Sequence, residues 1–219
     1  MLLQQFINGI TIGSTYALVA IGFTMIFGVL ELTNFSNSSL YMFGAYVTWL
    51  LYGVGMNFFV AFALSIALTG LLGFSIDRFA LRLLRKRHAP KLSGLITTLG
   101  MSMVIDNAIM VFCGTDSKSF ENHLDFGKVY IGNAIISWTQ IIILIVGFSL
   151  MIALSIIVYR TKIGKAMTAI AQNQDAAKLM GIDTNKVIAL TFVISGVLAC
   201  IAGTMVAMYY RSIETTMGS

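Results

Sequence analysis

The stretch LTNFSNSSLYMFGAYVTWLLYGVGMNFFVAFALSIALTGLLGFSI, residues 32–76, decides the fold class of this chain. It runs for 45 residues without an Asp, Glu, Lys or Arg. A helix that crosses a bilayer needs about 20 apolar residues, because the hydrocarbon core is about 30 Å thick and a helix rises about 1.5 Å per residue. The stretch is too long for one crossing and sufficient for two, with a turn predicted near residues 52–57. This pattern indicates a membrane protein.

The whole chain has the composition of a protein whose main solvent is lipid. Hydrophobic residues make up 58% of the 219 positions and charged residues 11%, whereas charged residues make up about 25% of soluble domains. No Lys or Arg precedes Arg78, so the first apolar segment lacks the basic start of a signal peptide and is predicted to be a retained helix. We predict an all-α, polytopic transmembrane bundle that forms a single domain over residues 1–219. The six predicted spans are about 5–30, 40–53, 57–76, 92–114, 134–159 and 187–210.

Two basic segments, residues 77–91 and 160–186, interrupt the spans. The first holds six Lys or Arg against one acid, and the second holds five against two acids. Short loops rich in Lys and Arg stay in the cytoplasm, which places both segments inside and the N-terminus outside. Because the basic residues are confined to such loops, topology explains the net charge of +5, and nucleic acid is not a predicted partner.

Small residues recur at four-residue spacing in three spans, a pattern that lets helix backbones approach closely. We interpret these rows as packing surfaces rather than as the lining of a substrate path. The rows are Gly9, Gly13 and Ala17; Ala61, Ser65, Thr69 and Gly73; and Ser195, Ala199, Gly203 and Ala207.

No arrangement in the sequence predicts covalent chemistry by this chain. His88 and His123 lack further ligands at metal-site spacing, and Cys113 and Cys200 lie in apolar runs. The sequence contains no GxxxxGK[ST] phosphate loop, so ATP-driven transport would require ATP and Mg²⁺ on another polypeptide. We therefore expect no enzymatic activity and no cofactor bound by this chain.

The polar run ELTNFSNSS, residues 31–39, separates two apolar spans. Non-helical backbone at membrane depth is tolerated only where protein or a water-filled cavity covers it, and broken helices often border the substrate pathway of transporters. A translocation path and an ordinary cytoplasmic turn are both consistent with this run. The residues that would line the path are Asn34, Phe35, Ser36, Asn37 and Ser38.

Asp106 lies inside the predicted fourth span, where a central carboxylate costs about 2.5–3.5 kcal/mol. One interpretation is a proton or ion site, which would make the chain an ion-coupled secondary transporter. The other is a structural carboxylate that lies near the outer headgroups or forms a hydrogen bond with a neighbouring helix. We favour the structural role.

The loop that begins GKAMTAIAQNQDAAKLMGID, residues 164–183, is predicted to form two short amphipathic helices. Asn173 or Asp175 can cap the second helix and Gly181 can end it. The small apolar surface suits a groove on a partner protein, whereas helices that rest on lipid usually bury bulky Trp, Phe or Leu. This surface consists of Ala166, Ala169, Ile170, Ala176, Ala177, Leu179 and Met180.

This loop, together with NGITIGSTYALVAIGFTMIFGVLELTNFS at residues 8–36 and SLYMFGAYV at residues 39–47, resembles the branched-chain amino-acid ABC importer permeases of the LivH-like type. The resemblance extends in order over about residues 6–208. It implies a subunit of a bacterial-type inner membrane that pairs with a second, related permease. It further implies that an extracytoplasmic substrate-binding protein delivers leucine, isoleucine or valine, and that two ABC ATPase subunits drive transport.

In such permeases a cytoplasmic coupling loop docks on the ATPase, and the resemblance assigns residues 160–186 to this loop. The residues that correspond to the docking segment are Gly164, Ala166, Ala169, Ala171, Asp175, Ala176, Leu179, Met180 and Gly181.

The chain departs from the family pattern at two places. The family commonly has NFAHG after the first span, where this chain has NFSNS at residues 34–38. A permease for another small polar solute, such as a sugar, urea or a nucleoside, therefore stays an alternative. Family members also continue through a glycine-rich stretch and further spans, so the resemblance predicts that residues 1–219 lack the C-terminal part of the bundle.

Overall fold

A computed structural model describes residues 2–30, 34–87, 89–120, 128–131 and 134–218. Most of these residues are helical, and the remaining regular structure consists of short strands. The helices are α1 (Leu2–Leu30), α2 (Ser36–Gly53), α3 (Phe58–Ser75), α4 (Arg82–Lys86), α5 (Lys91–Cys113), α6 (Trp138–Arg160), α7 (Lys162–Gln172), α8 (Gln174–Leu179) and α9 (Thr184–Tyr210), with a π-helical turn at Ile76–Leu81. The strands are β1 (Lys118–Ser119), β2 (Lys128–Ile131), β3 (Ala134–Ser137) and β4 (Ser212–Ile213).

The predicted fold class, an all-α multi-pass bundle, is confirmed. Within the described ranges, five helical segments are long and apolar enough to cross a membrane, against the six spans predicted. The difference is α2, whose 18 residues extend about 27 Å. Its first turn, Ser36–Ser39, is polar, and most of its residues are buried against neighbouring helices. The five segments are Asn8–Gly28, Phe58–Lys86, Leu92–Cys113, Trp138–Arg160 and Thr184–Tyr210.

Helix α9 lies in the middle of the bundle and packs against α1, α2 and α3. All four members of its predicted row of small residues are buried. A side chain at Gly203 would overlap the carbonyl oxygen of Tyr41 on α2, and a Cβ at Gly196 would lie 2.8 Å from the carbonyl oxygen of Thr69 on α3. The backbones of these helices are therefore in direct contact, as the sequence predicted.

The other two rows of small residues, on α3 and α1, differ in how closely they pack against neighbouring helices. The row on α3, from Ala61 to Gly73, is buried against α2 and α9, and that prediction is confirmed. On α1, a Cβ at Gly9 or Gly13 would meet no atom of the described residues within 4 Å. Close packing at these two glycines is therefore not found within the described part of the chain.

The first basic segment is not the loop that the sequence predicted, because helix α3 continues through the π-helical turn into α4. The wider turn directs Asp77 into the protein, where one carboxylate oxygen lies 2.7 Å from the Arg85 guanidinium. Burial of this ion pair favours continued helix over residues 76–86.

The fifth span begins at Trp138 rather than at the predicted residue 134. Residues 134–137 instead form β3, which pairs antiparallel with β2. The Gln140 side chain accepts a hydrogen bond from the backbone N–H of Ser137 at 3.1 Å, and Ser137 begins α6 with a capping box. Helix α6 therefore starts where N–H groups that have no partner within the helix find side-chain acceptors.

The segment after α9 turns back into the bundle. Arg211 adopts a left-handed conformation with φ of 56°, and β4 then pairs antiparallel with β1. At the end of this segment, Gly218 packs so closely on the carbonyl oxygen of Ser38 that a Cβ would not fit. Residues 211–218 thus reach the start of α2.

Candidate functional site

Helix α2 begins at a local cap formed by Asn34. Its side-chain oxygen accepts hydrogen bonds from the Ser36 backbone N–H at 3.2 Å and from the Ser36 hydroxyl at 2.6 Å. The Asn34 carbonyl oxygen accepts from the Asn37 N–H at 3.4 Å. Asn34 and Ser36 are buried, Phe35 is exposed, and the Asn34 Nδ2 is buried without a hydrogen-bond partner among the described residues.

The start of α2 is tied to two spans. The Ser195 hydroxyl of α9 lies 2.8 Å from the Asn37 side-chain oxygen and 2.8 Å from the Gly22 carbonyl oxygen of α1. Ser195 follows Thr184, the first residue of α9, by about 17 Å of helix rise, which is roughly half the thickness of a bilayer core. Helix α2 therefore begins near the middle of the bundle and not at its surface.

A cavity of about 360 Å³ opens beside the first turn of α2. Its lining combines apolar side chains with hydroxyl groups and one carboxylate, that of Glu214. Among the predicted path residues, the cavity lining includes Ser38, while Asn34, Ser36 and Asn37 are buried in helix packing. The lining consists of Thr15, Tyr16, Val19, Ser38, Tyr41, Val206, Tyr210, Ser212, Glu214, Met217 and Gly218.

Sequence reasoning missed most of this cavity. Its tyrosines come from α1, α2 and α9, and Glu214 comes from the segment that turns back after α9. Single Tyr residues in separate apolar spans carry no local pattern. The signal that could have been used is Glu214, a carboxylate that directly follows a long span.

Asp106 accepts hydrogen bonds from two serine side chains. The Ser39 hydroxyl lies 2.5 Å from the Asp106 Oδ1 and 2.7 Å from the Ser102 hydroxyl. These contacts join α2 to α5. Of the two interpretations of Asp106, the hydrogen bond to a neighbouring helix is the one present in the structure.

The predicted coupling loop forms two helices, α7 and α8. Thr161 caps α7, its side chain accepting from the Gly164 N–H at 3.1 Å. Gly164 lies against the Val158 carbonyl oxygen at the end of α6 with no room for a Cβ. Met167 and Ile170 are buried. Helix α7 is thus fixed to the transmembrane bundle by one face.

Helix α8 has the ends that the sequence predicted. The Asn173 side-chain oxygen accepts from the N–H groups of Asp175 and Ala176 at 3.0 and 2.9 Å. Gly181, with φ of 83°, ends the turn after α8, since glycine adopts this conformation without a steric penalty. Asn173 is therefore the cap among the two candidates that the sequence offered.

The predicted docking residues differ in burial and form a buried, a partly buried and an exposed set. Gly164 is buried and faces the bundle, as do Ile170 and Ala177 of the predicted apolar surface. The tip of the loop is exposed and includes Leu179 and Met180, whose exposed fractions are 90% and 83%. Partly buried members are Ala166, Ala169 and Ala171, and exposed members are Asp175, Ala176, Leu179, Met180 and Gly181.

A second cavity, of about 630 Å³, lies where α7 meets α1 and α6. Its lining is largely apolar and includes Met167, Thr168 and Ala171 of α7 together with Met151 and Tyr159 of α6. Helix α7 also contacts α9. A displacement of α7 would therefore act directly on three spans, α1, α6 and α9.

Asp183 lies in the same region and caps the start of α9. Its side chain accepts from the Lys186 backbone N–H at 3.2 Å, and this hydrogen bond, with the charge of Lys186, lowers the pKa of the Asp183 carboxyl. The sixth span therefore starts at Thr184 rather than at the predicted residue 187.

No group of three His, Cys, Asp or Glu side chains able to hold a metal ion occurs among the described residues. His88 and His123 lie outside these residues.

Comparison with known proteins gives a match to one family model, described as "Branched-chain amino acid transport system / permease component", over residues 5–219. The high-affinity branched-chain amino acid transport system permease protein BraD of Pseudomonas aeruginosa is 37% identical over 99% of this chain and 74% of its own length. The corresponding LivH of Escherichia coli is 34% identical over the same shares. The ribose import permease protein RbsC of Escherichia coli is 25% identical over 94% of this chain and 62% of its own length. No solved structure matches significantly.

Proposed function

The chain belongs to the permease-component family of branched-chain amino acid transport systems, and on this premise we propose that it carries leucine, isoleucine and valine across the membrane as one subunit of an ATP-driven ABC importer. Its partners are a second, related permease, two ABC ATPase subunits that hold ATP and Mg²⁺, and an extracytoplasmic substrate-binding protein. The assembly lies in the inner membrane of a bacterial-type cell.

The observation that carries the substrate assignment is the cavity beside the start of α2. Val19, Val206 and Met217 offer an apolar wall to an aliphatic side chain, and Glu214 offers a carboxylate to an ammonium group. The N-terminal end of a helix favours a carboxylate, and α2 presents this end to the cavity through Ser38. The cavity thus has complementary groups for each part of a branched-chain amino acid.

The position of the cavity suits a substrate that arrives from outside. Val206 and Tyr210 belong to the half of α9 that is predicted to lie toward the extracytoplasmic face, and Ser38 belongs to the first turn of α2. In transporters, broken helices of this kind place the substrate near the bilayer midplane. We assign Asn34, Ser36 and Asn37 to holding the break in place, and Ser38 to contact with substrate.

Coupling to ATP hydrolysis runs through α7 and α8. The exposed tip at Leu179 and Met180 enters a groove on the ATPase, and the buried face of α7 transmits movement of the ATPase to α1, α6 and α9. Rocking of these spans around the cavity then exposes it to alternate sides of the membrane.

A second candidate, a permease for a sugar, rests on the similarity to the ribose import permease. Competition for uptake separates the two. Cells that express the chain with its partners should take up radiolabelled leucine, and excess unlabelled isoleucine or valine should inhibit this uptake while ribose should not. Inhibition by ribose alone would overturn the branched-chain assignment in favour of the sugar.

An ion-coupled transporter centred on Asp106 is disfavoured by the hydrogen bonds of this carboxylate with Ser39 and Ser102. Such a transporter would work without any ATPase and would lose transport in Asp106→Asn.

A further inference from the structure

The helical extension of α3 carries a row of cations that the transport proposal does not use. Arg78, Arg82 and Lys86 follow one another at four-residue spacing and line a shallow cavity of about 340 Å³ together with Phe79 and Leu83. Residues four positions apart on a helix lie on the same face, one above the other. The row is therefore a continuous basic surface.

The charge of this surface is largely uncompensated. Asp77 is the sole acidic residue in the sequence between Leu32 and Ile105, and its carboxylate is engaged by Arg85 at 2.7 Å. No ion pair of Arg78, Arg82 or Lys86 with an acidic side chain is found in the described part of the chain. An anion at this surface would therefore meet cations that are not already paired.

The surroundings of the cations indicate where the anion comes from. The extension belongs to the apolar segment Phe58–Lys86 that is long enough to cross a membrane. Beside the cations, Phe79 is 77% exposed and Leu83 is 50% exposed. Exposed apolar side chains next to basic residues at the end of a span match a lipid, which has a charged headgroup and acyl chains, better than a free anion.

We propose that Arg78, Arg82 and Lys86 bind the phosphate of an anionic phospholipid, while Phe79 and Leu83 contact the upper part of its acyl chains. Basic clusters directly next to a membrane span are a recurring mode of anionic lipid recognition. The site is independent of the identity of the transported solute.

The test measures lipid retention by the full chain. The protein is purified in detergent, exposed to an equal mixture of phosphatidylglycerol and phosphatidylcholine, washed, and analysed by native mass spectrometry. We expect preferential retention of phosphatidylglycerol, and a loss of about a hundredfold in the Arg78→Gln/Arg82→Gln/Lys86→Gln variant, since each of three basic residues near an anionic surface contributes about fivefold. Inorganic phosphate should not displace the lipid.

Two variants control this experiment. Arg160→Gln/Lys162→Gln/Lys186→Gln removes the same number of charges from the same predicted face and should leave retention unchanged, and Arg78→Lys/Arg82→Lys keeps the charges and should retain the lipid. Circular dichroism checks that each variant is folded. The proposal is overturned if phosphatidylcholine binds equally, if inorganic phosphate displaces the lipid, if the two triple variants behave alike, or if the lysine variant loses the lipid while folded.

Discussion

The hydroxyl of Ser195 lies 2.8 Å from the side-chain oxygen of Asn37, although 158 positions separate the two residues in the sequence. The same hydroxyl lies 2.8 Å from the carbonyl oxygen of Gly22. Three helices therefore meet at one hydroxyl, at the depth where α2 begins.

Replacing Ser195 by Ala should destabilise the bundle by about 1 kcal/mol, because the Gly22 carbonyl oxygen and the Asn37 side-chain oxygen then lose the one proton that the hydroxyl can donate to either of them. The midpoint of thermal unfolding in detergent measures this effect. Ser149→Ala is the matched control, since Ser149 is exposed on α6 and its replacement should leave the midpoint unchanged. Equal midpoints for the two variants would show that the Ser195 contact is energetically irrelevant.

Gly203→Ala should lower stability by about 1–3 kcal/mol, the usual cost of overpacking, because the new methyl group would overlap the Tyr41 carbonyl oxygen and separate α2 from α9. Gly100→Ala is the control, since a Cβ at Gly100 on α5 would meet no atom of the described residues within 4 Å. Size-exclusion chromatography of the heated proteins compares them. A Gly203→Ala protein as heat-resistant as the control would contradict the direct backbone contact.

The tip of the coupling loop should be required for association with the ATPase. Leu179→Asp/Met180→Asp should abolish co-purification with the ATPase subunits, because both side chains are exposed and apolar and a charge in a hydrophobic groove is costly. Gln172→Asp adds a charge to an exposed position of the same loop and should not prevent association. If the double variant still co-purified with the ATPases, the docking surface would have to lie elsewhere.

Glu214→Gln should raise the KM for leucine uptake by about tenfold, the loss expected when a charge-assisted hydrogen bond to the ammonium group is removed. The thermal midpoint should not change, because Glu214 is exposed. Asp116→Asn removes an exposed carboxylate from the loop after α5 and serves as the control. An unchanged KM in Glu214→Gln would exclude this carboxylate from substrate binding.

The features that the sequence predicted well are those encoded by neighbouring residues. Long uncharged runs located the spans, because crossing lipid requires a minimum apolar length. The sequence limited the cap of α8 to Asn173 or Asp175 and predicted its end at Gly181, because a cap and a left-handed turn are local demands of the backbone. The small residues of α9 likewise predicted its close packing.

The features that the sequence did not predict depend on distant residues. The π-helical turn that brings Asp77 to Arg85 has no sequence signature. The row of small residues on α1 has the same spacing as the row on α9, yet a Cβ at Gly9 or Gly13 would meet no atom of the described residues within 4 Å. The cavity is assembled from three helices and a returning segment, so its tyrosines could not be grouped before the fold was known.

ATP-dependent uptake of leucine into proteoliposomes tests the proposed function most directly. The chain is reconstituted with its partner permease, the two ATPase subunits and the binding protein, and radiolabelled leucine is followed with ATP, with a non-hydrolysable ATP analogue, or with an imposed proton gradient alone. We predict accumulation with ATP and none under the other two conditions or when the chain is omitted. Accumulation driven by the proton gradient without ATP would contradict the account.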